Sequence, residues 1–199
     1  FDHSRLARAL FEYLKRGVAI SDLDRFYEDI TQRVPISLIK EVWFLENISK
    51  LEKGFYEKIK RFFDISLGIV LGFFTLAIFP FVALGIKIFA PGPVFYRQDR
   101  IGKNNRIFKL IKFRSLPTAK TTDHLMQKPA EKDITAFGKF LRKSHWDELP
   151  QIWNILKSEM SFIGPRPEKP EFVEQLSREI HFYEMRTLVK PGIAGWAQL

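Results

Sequence analysis

From Ile65 to Phe89 the chain reads ISLGIVLGFFTLAIFPFVALGIKIF, and Lys87 is its only charged residue. About 20 consecutive apolar residues cross the hydrocarbon of a bilayer, so the run predicts a membrane segment. A core helix of a soluble domain is the competing reading, but such helices seldom stay apolar on every face for so long. Pro80 lies inside the run; it lacks an N–H and crowds the carbonyl of Leu76, which predicts a kink or break there. At ~1.5 Å per residue the part before it, Ile65 to Phe79, reaches ~22 Å, short of the ~30 Å of hydrocarbon. Lys53, Lys58, Lys60 and Arg61 precede the run and Lys87, Arg97, Arg100 and Lys103 follow it. Basic residues favour the cytoplasmic side, so both flanks are expected there. A proline-broken helix over about 62–89 that enters and returns satisfies both observations. A kinked helix that crosses also remains open on physical grounds. Gly68 and Gly72 form a GxxxG spacing, a weak signal for close helix packing.

Before this run the apolar positions recur at helical spacing. HSRLARALFEYLKRG is expected to form a helix ending at Gly17, and SDLDRFYEDITQR another with Ser21 as N-cap. Residues 1–57 are therefore read as a helical connector or the tail of an upstream domain. After the run, two strand-forming stretches flank Gly102-Lys103-Asn104-Asn105 and predict a β-hairpin. In a regular second strand Lys112 and Arg114 share a face while Phe113 points away. Cations recur at 97, 100, 103, 106, 109 and 112: a solvated basic hairpin on anionic lipid, or a phosphate-binding surface for at least Lys112 and Arg114. Thr118 to Asp133 reads as a loop. Phe137, Phe140 and Leu141 predict an amphipathic helix, in the membrane interface or in a core. Phe172, Val173, Leu176 and Ile180 mark a further one. The expected fold class is α+β, mainly helical, with a membrane-embedded helix, a small hairpin and interfacial helices.

Charge sharpens this outline. Of 199 residues 46% are hydrophobic, and 32 basic against 23 acidic residues give a net charge of +9. Such an excess calls for an anionic partner. With no cysteine, disulfides, thiolate metal sites and a cysteine nucleophile are excluded. The four histidines, at 3, 124, 145 and 181, show no zinc spacing. Nucleic acid is disfavoured as the partner, because it leaves the apolar run unexplained and no aromatic stacking pattern is visible. The chain opens on Phe1 and stops after VKPGIAGWAQL, and is read as a piece of a longer protein.

The densest chemistry is SHWDELPQIWNILKSEMSFIGPRP, Ser144 to Pro167. Ser144 is expected to cap a helix whose first turn holds His145, Trp146 and Asp147, with Pro150 tolerated early. Asp147 and Glu148 could simply be first-turn acids that favour the helix dipole. Their surroundings suggest more. Lys112, Arg114, Arg142 and Arg166 suit diphosphate oxygens. A carboxylate can attack phosphorus, and a divalent ion held by a carboxylate would neutralise charge on the transferring group. Pro165 and Pro167 restrict the backbone on both sides of Arg166, although GPRP could also be only a rigid turn.

FYRQDRIG, IKFRSL, DELPQIWNILKSEMSFIGPRP and VKPGIAGWAQL, in this order after a proline-broken apolar helix, resemble the bacterial sugar transferase family. These are the monotopic polyprenyl-phosphate phosphoglycosyl transferases, and the resemblance covers about residues 58–199. The preceding helices resemble the joining segment of longer, exopolysaccharide-type members. The resemblance implies a re-entrant helix broken at Pro80 and a cytoplasmic-face active site on the bacterial inner membrane. It implies transfer of a sugar-1-phosphate from a UDP-sugar to polyprenyl (undecaprenyl) phosphate, releasing UMP. Asp147 matches the nucleophile that carries the phosphosugar, Glu148 its acidic partner, and Mg2+ is required at the site, with Asp147 as a ligand. Lys112, Arg114, Arg166 and Gln151 match motif positions expected to bind substrate, and Arg142 stands beside them as a further cation. His145, Trp146, Ala136 and Leu116 depart from the usual pattern. Membrane lipid is a further expected partner, and the helical appendage could support self-association. The alternative is a non-enzymatic basic scaffold on the membrane surface.

Overall fold

A computed structural model describes residues 3–18, 21, 23–32, 54–90, 92–116 and 134–195. Contacts divide the chain into two compact units, Phe1–Gly54 and Phe55–Leu199. In the first, α1 (His3–Lys15) and α2 (Leu23–Thr31) are amphipathic, and Leu14, Phe11, Phe26 and Ile30 are exposed. α1 stops as its glycine predicts. Gly17 takes φ 76°, its N–H donates to Leu14 O at 3.0 Å, and Val18 N–H donates to Tyr13 O at 3.1 Å. These paired bonds satisfy carbonyls that a helix end leaves open. The expected loop 118–133 lies outside the described residues.

The second unit is built on α3 (Gly54–Phe89). Its other elements are β1 (Phe95–Ile101), β2 (Ile107–Phe113), α4 (Ala136–Lys143), α5 (Gln151–Leu156), β3 (Ser161–Ile163), α6 (Pro170–Glu179) and β4 (Gly192–Ala194). α3 is long and apolar enough to cross a membrane, and only 11% of its most apolar window is buried. Phe62, Phe63, Val70, Phe73, Leu76, Phe81, Leu84 and Ile88 are all exposed. An apolar surface of this extent exceeds the few hundred Å² that soluble monomers usually show, and is compatible with membrane association. The Thr75 hydroxyl donates to Leu71 O at 2.7 Å, so a polar group in this run is satisfied within the helix.

The interruption expected at Pro80 is not an interruption of the helix: α3 runs through it to Phe89. A proline removes one donor, and the turns on either side keep theirs. Phe79, just before it, stacks on Phe95 and Phe113, whose centroids lie 5.7 and 6.2 Å away.

The remaining elements pack along α3 from one end to the other. Arg61 donates to Ile155 O and Leu156 O at 2.6 and 2.7 Å, filling open carbonyls at the end of α5. Asp64, 5% exposed, accepts from Ser161 Oγ at 3.0 Å and Phe162 N at 3.1 Å. The GxxxG face receives α5, since a Cβ on Gly68 would lie 3.0 Å from Leu156 and one on Gly72 3.9 Å from Ile152. Further along, Val82 and Ile86 join Phe113 and Leu141 in one buried cluster. Phe108, Leu110, Ile155 and Met160 form a second. Full burial of each such side chain contributes about 1.5–3 kcal/mol.

β1 and β2 pair antiparallel around the turn Lys103–Asn105, where Asn104 and Asn105 take positive φ, a conformation asparagine tolerates. Phe95 pairs Phe113 on the face toward α3, while Tyr96 pairs Lys112 and Arg100 pairs Phe108 on the other. β3 and β4 pair in parallel, Ser161 with Gly192 and Ile163 with Ala194. α6 ends at Glu179, so Ile180, expected on its apolar side, is an exposed residue at its end.

Candidate active site

The acidic pair is not in the first turn of a helix capped by Ser144. Ser144 ends α4, and its hydroxyl donates back to Phe140 O at 2.9 Å. His145 then adopts φ 57°, ψ 16°, a left-handed conformation that turns the chain into a short 3-10 segment, Trp146–Glu148. Helix termination dominates here because the αL residue leaves α4 before a new helix begins; α5 starts only at Gln151, after Pro150. With three residues per 3-10 turn, Trp146 and Leu149 share a face, and both pack against the Val82–Leu141 cluster. Asp147 and Glu148 occupy the remaining directions.

Glu148 Oε1 lies 2.5 Å from Lys112 Nζ, with both side chains about four-fifths buried. Asp147 is 9% exposed, and its Oδ1 is buried without a hydrogen-bond partner. Burial holds the Asp147 carboxyl above its ordinary range, and the neighbouring Glu148 charge adds to this; Lys112, Arg142 and His145 pull it back.

Lys112, Glu148, Gln151 and Arg166 line one open recess, together with Arg100, Leu110, Pro167, Gly192 and Ile193. Four residues expected at the site are therefore gathered in one place. Asp147 does not line the recess; it adjoins Glu148 and lies within electrostatic reach of Lys112. Arg142 is close enough to act on Asp147, and its Nε donates to Ser115 Oγ at 2.8 Å. Arg114 is elsewhere. It is buried, and its guanidinium donates to Ala90 O just past the end of α3. Lys112 and Arg114 thus reach different partners, because regular strand alternation ends at Phe113.

Arg100 was not expected at the site. The period-2 pattern contains it, since it shares the Lys112 face of the hairpin through the Arg100–Phe108 pairing. Its guanidinium is held by Pro167 O at 2.9 Å and Gln98 Oε1 at 2.8 Å, with Glu168 at 3.7 Å. Burial, with the Arg166 charge nearby, pulls its pKa down.

Four successive carbonyls fix GPRP. Pro165 O accepts from Gly192 N, Arg166 O from Arg186 Nη2, Pro167 O from Arg100 Nη1 and Glu168 O from Ile101 N, at 2.7–3.0 Å. Gly164 and Gly192 permit this approach: a Cβ on Gly164 would lie 2.3 Å from Lys190 O, and one on Gly192 2.1 Å from Gly164 N. The Arg166 side chain is exposed and makes no hydrogen bond or ion pair among the described residues. A cation so presented, beside Lys112 and Arg100, suits an anion with several oxygens.

Among the described residues no group of three or more histidines or acids could hold a metal. The two carboxylates still fit Mg2+, which is commonly held by one or two carboxylates plus substrate phosphates. The orphaned Asp147 Oδ1 has the chemistry of such a ligand.

Together these features define a protein with an exposed apolar helix compatible with membrane association and an acidic pair beside a recess lined by cations. Residues 55–199 match the family model described as bacterial sugar transferase. An N-acetylgalactosaminephosphotransferase of Aeromonas hydrophila, named for UDP-N-acetylgalactosamine and undecaprenyl phosphate, is 40% identical over 184 residues, covering 92% of this chain and 43% of the relative. A UDP-glucose:undecaprenyl-phosphate glucose-1-phosphate transferase of Xanthomonas campestris pv. campestris is 45% identical over 120 residues, 59% of this chain and 25% of the relative. A protein of Bacillus subtilis (strain 168), named as a putative undecaprenyl-phosphate N-acetylgalactosaminyl 1-phosphate transferase, is 38% identical over 135 residues, 66% of this chain and 74% of the relative. The chain belongs to the bacterial sugar transferase family. It spans less than half the length of the first two of these relatives.

Proposed function

We propose that this chain carries the catalytic module of an enzyme that transfers a sugar-1-phosphate from a UDP-sugar to polyprenyl phosphate, through a covalent intermediate on Asp147. The observation that carries this reading is the Asp147 carboxyl, buried and unpartnered at Oδ1, beside a recess lined by Lys112, Arg100 and Arg166. The names of the relatives supply the donor and acceptor classes.

In the first step an Asp147 carboxylate oxygen attacks the sugar-bearing phosphorus of the donor. The bond from that phosphorus to the UMP oxygen breaks, and UMP leaves with the electron pair. In the second, a phosphate oxygen of the lipid attacks the same phosphorus and the carboxylate is released, giving polyprenyl diphosphate sugar. Both substrates are anions, so each visits the cations in turn. Glu148 holds Lys112 in place, and Gln151 and Arg166 bind donor oxygens. Mg2+, held by Asp147 with Glu148 nearby, would neutralise charge on the diphosphate when bound.

The packing along α3 supports a membrane reading in which this helix enters and leaves on the cytoplasmic face of the inner membrane. A crossing helix needs ~20 residues surrounded by lipid or other membrane segments. Here the same polar body is met at Glu57 by Lys103, at Arg61, Asp64, Gly68, Gly72 and Phe79, and at Ala90 by Arg114. No stretch of that length is free of it.

The test is incubation of detergent-solubilised protein with undecaprenyl phosphate, Mg2+ and a panel of UDP-sugars that includes UDP-glucose and UDP-N-acetylgalactosamine. UMP release is expected with at least one sugar, lost on chelation with EDTA and restored by Mg2+. Quenching after donor alone should show a sugar-phosphate mass on the peptide holding Asp147, absent in Asp147→Asn. An undiminished Asp147→Asn enzyme removes the nucleophile. No release with any sugar leaves the scaffold reading standing.

A further inference from the structure

Arg186 lies twenty residues from Arg166 in sequence and does not line the recess of Lys112 and Glu148. Its guanidinium nevertheless joins the segment that presents Arg166 to its own helical segment. Nη2 donates to the Arg166 carbonyl at 2.7 Å. Nη1 donates to the Tyr183 hydroxyl, and the guanidinium carbon stands 4.8 Å from the centre of the Tyr183 ring. Tyr183 and Arg186 belong to one short helical segment, Tyr183–Leu188, so the cation is braced from below by its own element. A guanidinium on a ring face with both amino ends hydrogen-bonded has little freedom left, and a lysine could not fill all of these contacts at once.

The grip is asymmetric. Pro165 O and Glu168 O are held by backbone N–H groups, those of Gly192 and Ile101. Arg166 O and Pro167 O are held instead by side chains, those of Arg186 and Arg100. Arg100 also lines the recess and can act on a ligand directly, whereas Arg186 reaches it only through Arg166.

We propose that Arg186 is a positioning residue that fixes the Arg166 peptide, and through it the angle at which the Arg166 guanidinium meets the donor diphosphate. This rests on Arg166 binding donor, as put forward above. A displacement of ~1 Å at a positioned group can cost about 100-fold in rate, so a loss of about 10- to 100-fold in kcat/KM is expected for Arg186→Met.

A double-mutant cycle decides it. UMP release by Arg186→Met, Arg166→Ala and the double variant is measured against the unaltered chain, with thermal unfolding of all four. Arg166→Ala is expected to lower kcat/KM for the UDP-sugar by at least 10-fold. Adding Arg186→Met to it should lower kcat/KM no further, while any fall in Tm caused by Arg186→Met appears equally in both backgrounds. Losses that multiply in the double variant would mean that Arg186 acts independently of Arg166, and would overturn the inference while leaving the proposed role of Arg166 intact. An Arg166→Ala enzyme of full activity would instead overturn that role and the inference with it. Arg186→Lys, which can still donate to Arg166 O, should recover most of the loss; a folded lysine variant as poor as methionine overturns the inference. If the methionine variant does not fold, the same cycle run with Arg186→Gln carries the decision.

Discussion

Lys112 and Glu148 meet at 2.5 Å across 36 residues of sequence, joining the second hairpin strand to the 3-10 turn that holds Asp147. Each is about one-fifth exposed, so the pair is only partly screened by solvent. Lys112→Met and Glu148→Gln should each lower UMP release by 10-fold or more. Loss of a hydrogen bond to a charged partner should cost about 1–3 kcal/mol of stability. Replacing both with apolar residues should regain part of that stability and none of the activity, since a matched apolar pair avoids an uncompensated charge. Thermal unfolding alongside the assay separates the two effects. A double variant that regains activity would show the pair to be structural only.

The raised pKa of Asp147 gives a stability prediction of opposite sign to its activity prediction. An aspartate in the unfolded chain titrates near its ordinary value of 3.8, and in the folded protein it titrates higher. Folding therefore takes up a proton between those two pH values. The favourable contribution is complete below the lower one and is lost as pH rises through the higher. At neutral pH the ionised group is a net cost that asparagine does not carry. Asp147→Asn should unfold at a higher temperature than the unaltered chain at pH 7, by ~2–4 °C for each kcal/mol relieved. The difference should shrink as pH falls toward the ordinary aspartate range. A lower Tm at pH 7 would contradict it. The acid limb of kcat/KM should likewise lie above that range.

Gly164 and Gly192 are predicted to be intolerant for a steric reason. Gly164→Ala places a Cβ 2.3 Å from the Lys190 carbonyl oxygen and 2.9 Å from Gly192 N, both backbone atoms. The strands must part, at about 1–3 kcal/mol. Because Pro165 O, the carbonyl just before Arg166, is anchored to Gly192 of the same strand, activity should fall further than stability alone explains. A folded Gly164→Ala enzyme of normal kcat/KM would contradict the link between this close approach and Arg166.

The chain has no cysteine, so a single introduced one reports cleanly. Lys58 near the start of α3 and Arg106 in the hairpin turn are both exposed. Arg106 lies at the same end of α3 as Lys58, through the Glu57–Lys103 pair, so the exposed Lys87 near the other end serves as the second position. Cysteines at Lys58 and Lys87 should react with an impermeant maleimide from the same, cytoplasmic side of inner-membrane vesicles. Labelling from opposite sides would mean that α3 crosses.

Much of the site was legible because its chemistry is carried by charged side chains in short local blocks. Asp147, Glu148 and Gln151 fall in one such block and Arg166 in another, while the hairpin's alternation marked Lys112. The hairpin itself was legible from Gly102–Asn105, and the end of α1 from Gly17. What failed depends on how chain ends compete. Ser144 has the composition of an N-cap, yet it closes α4, because His145 takes the left-handed conformation more often reserved for glycine or asparagine. Arg114 looks like a ligand-binding cation until the open carbonyl at Ala90 claims it. Arg100 and Arg186 went unassigned because they act on backbone carbonyls far away in sequence, and composition gives no account of those.

Arg61, Asp64 and the Arg114–Ala90 bond tie α3 at both of its ends to the elements that carry the candidate site. On the proposed reading, the reactive oxygen is thereby held at one set height relative to the lipid headgroups, and an acceptor must bring its phosphate to that level, which makes the vertical position of the substrate in the leaflet a selection criterion in its own right.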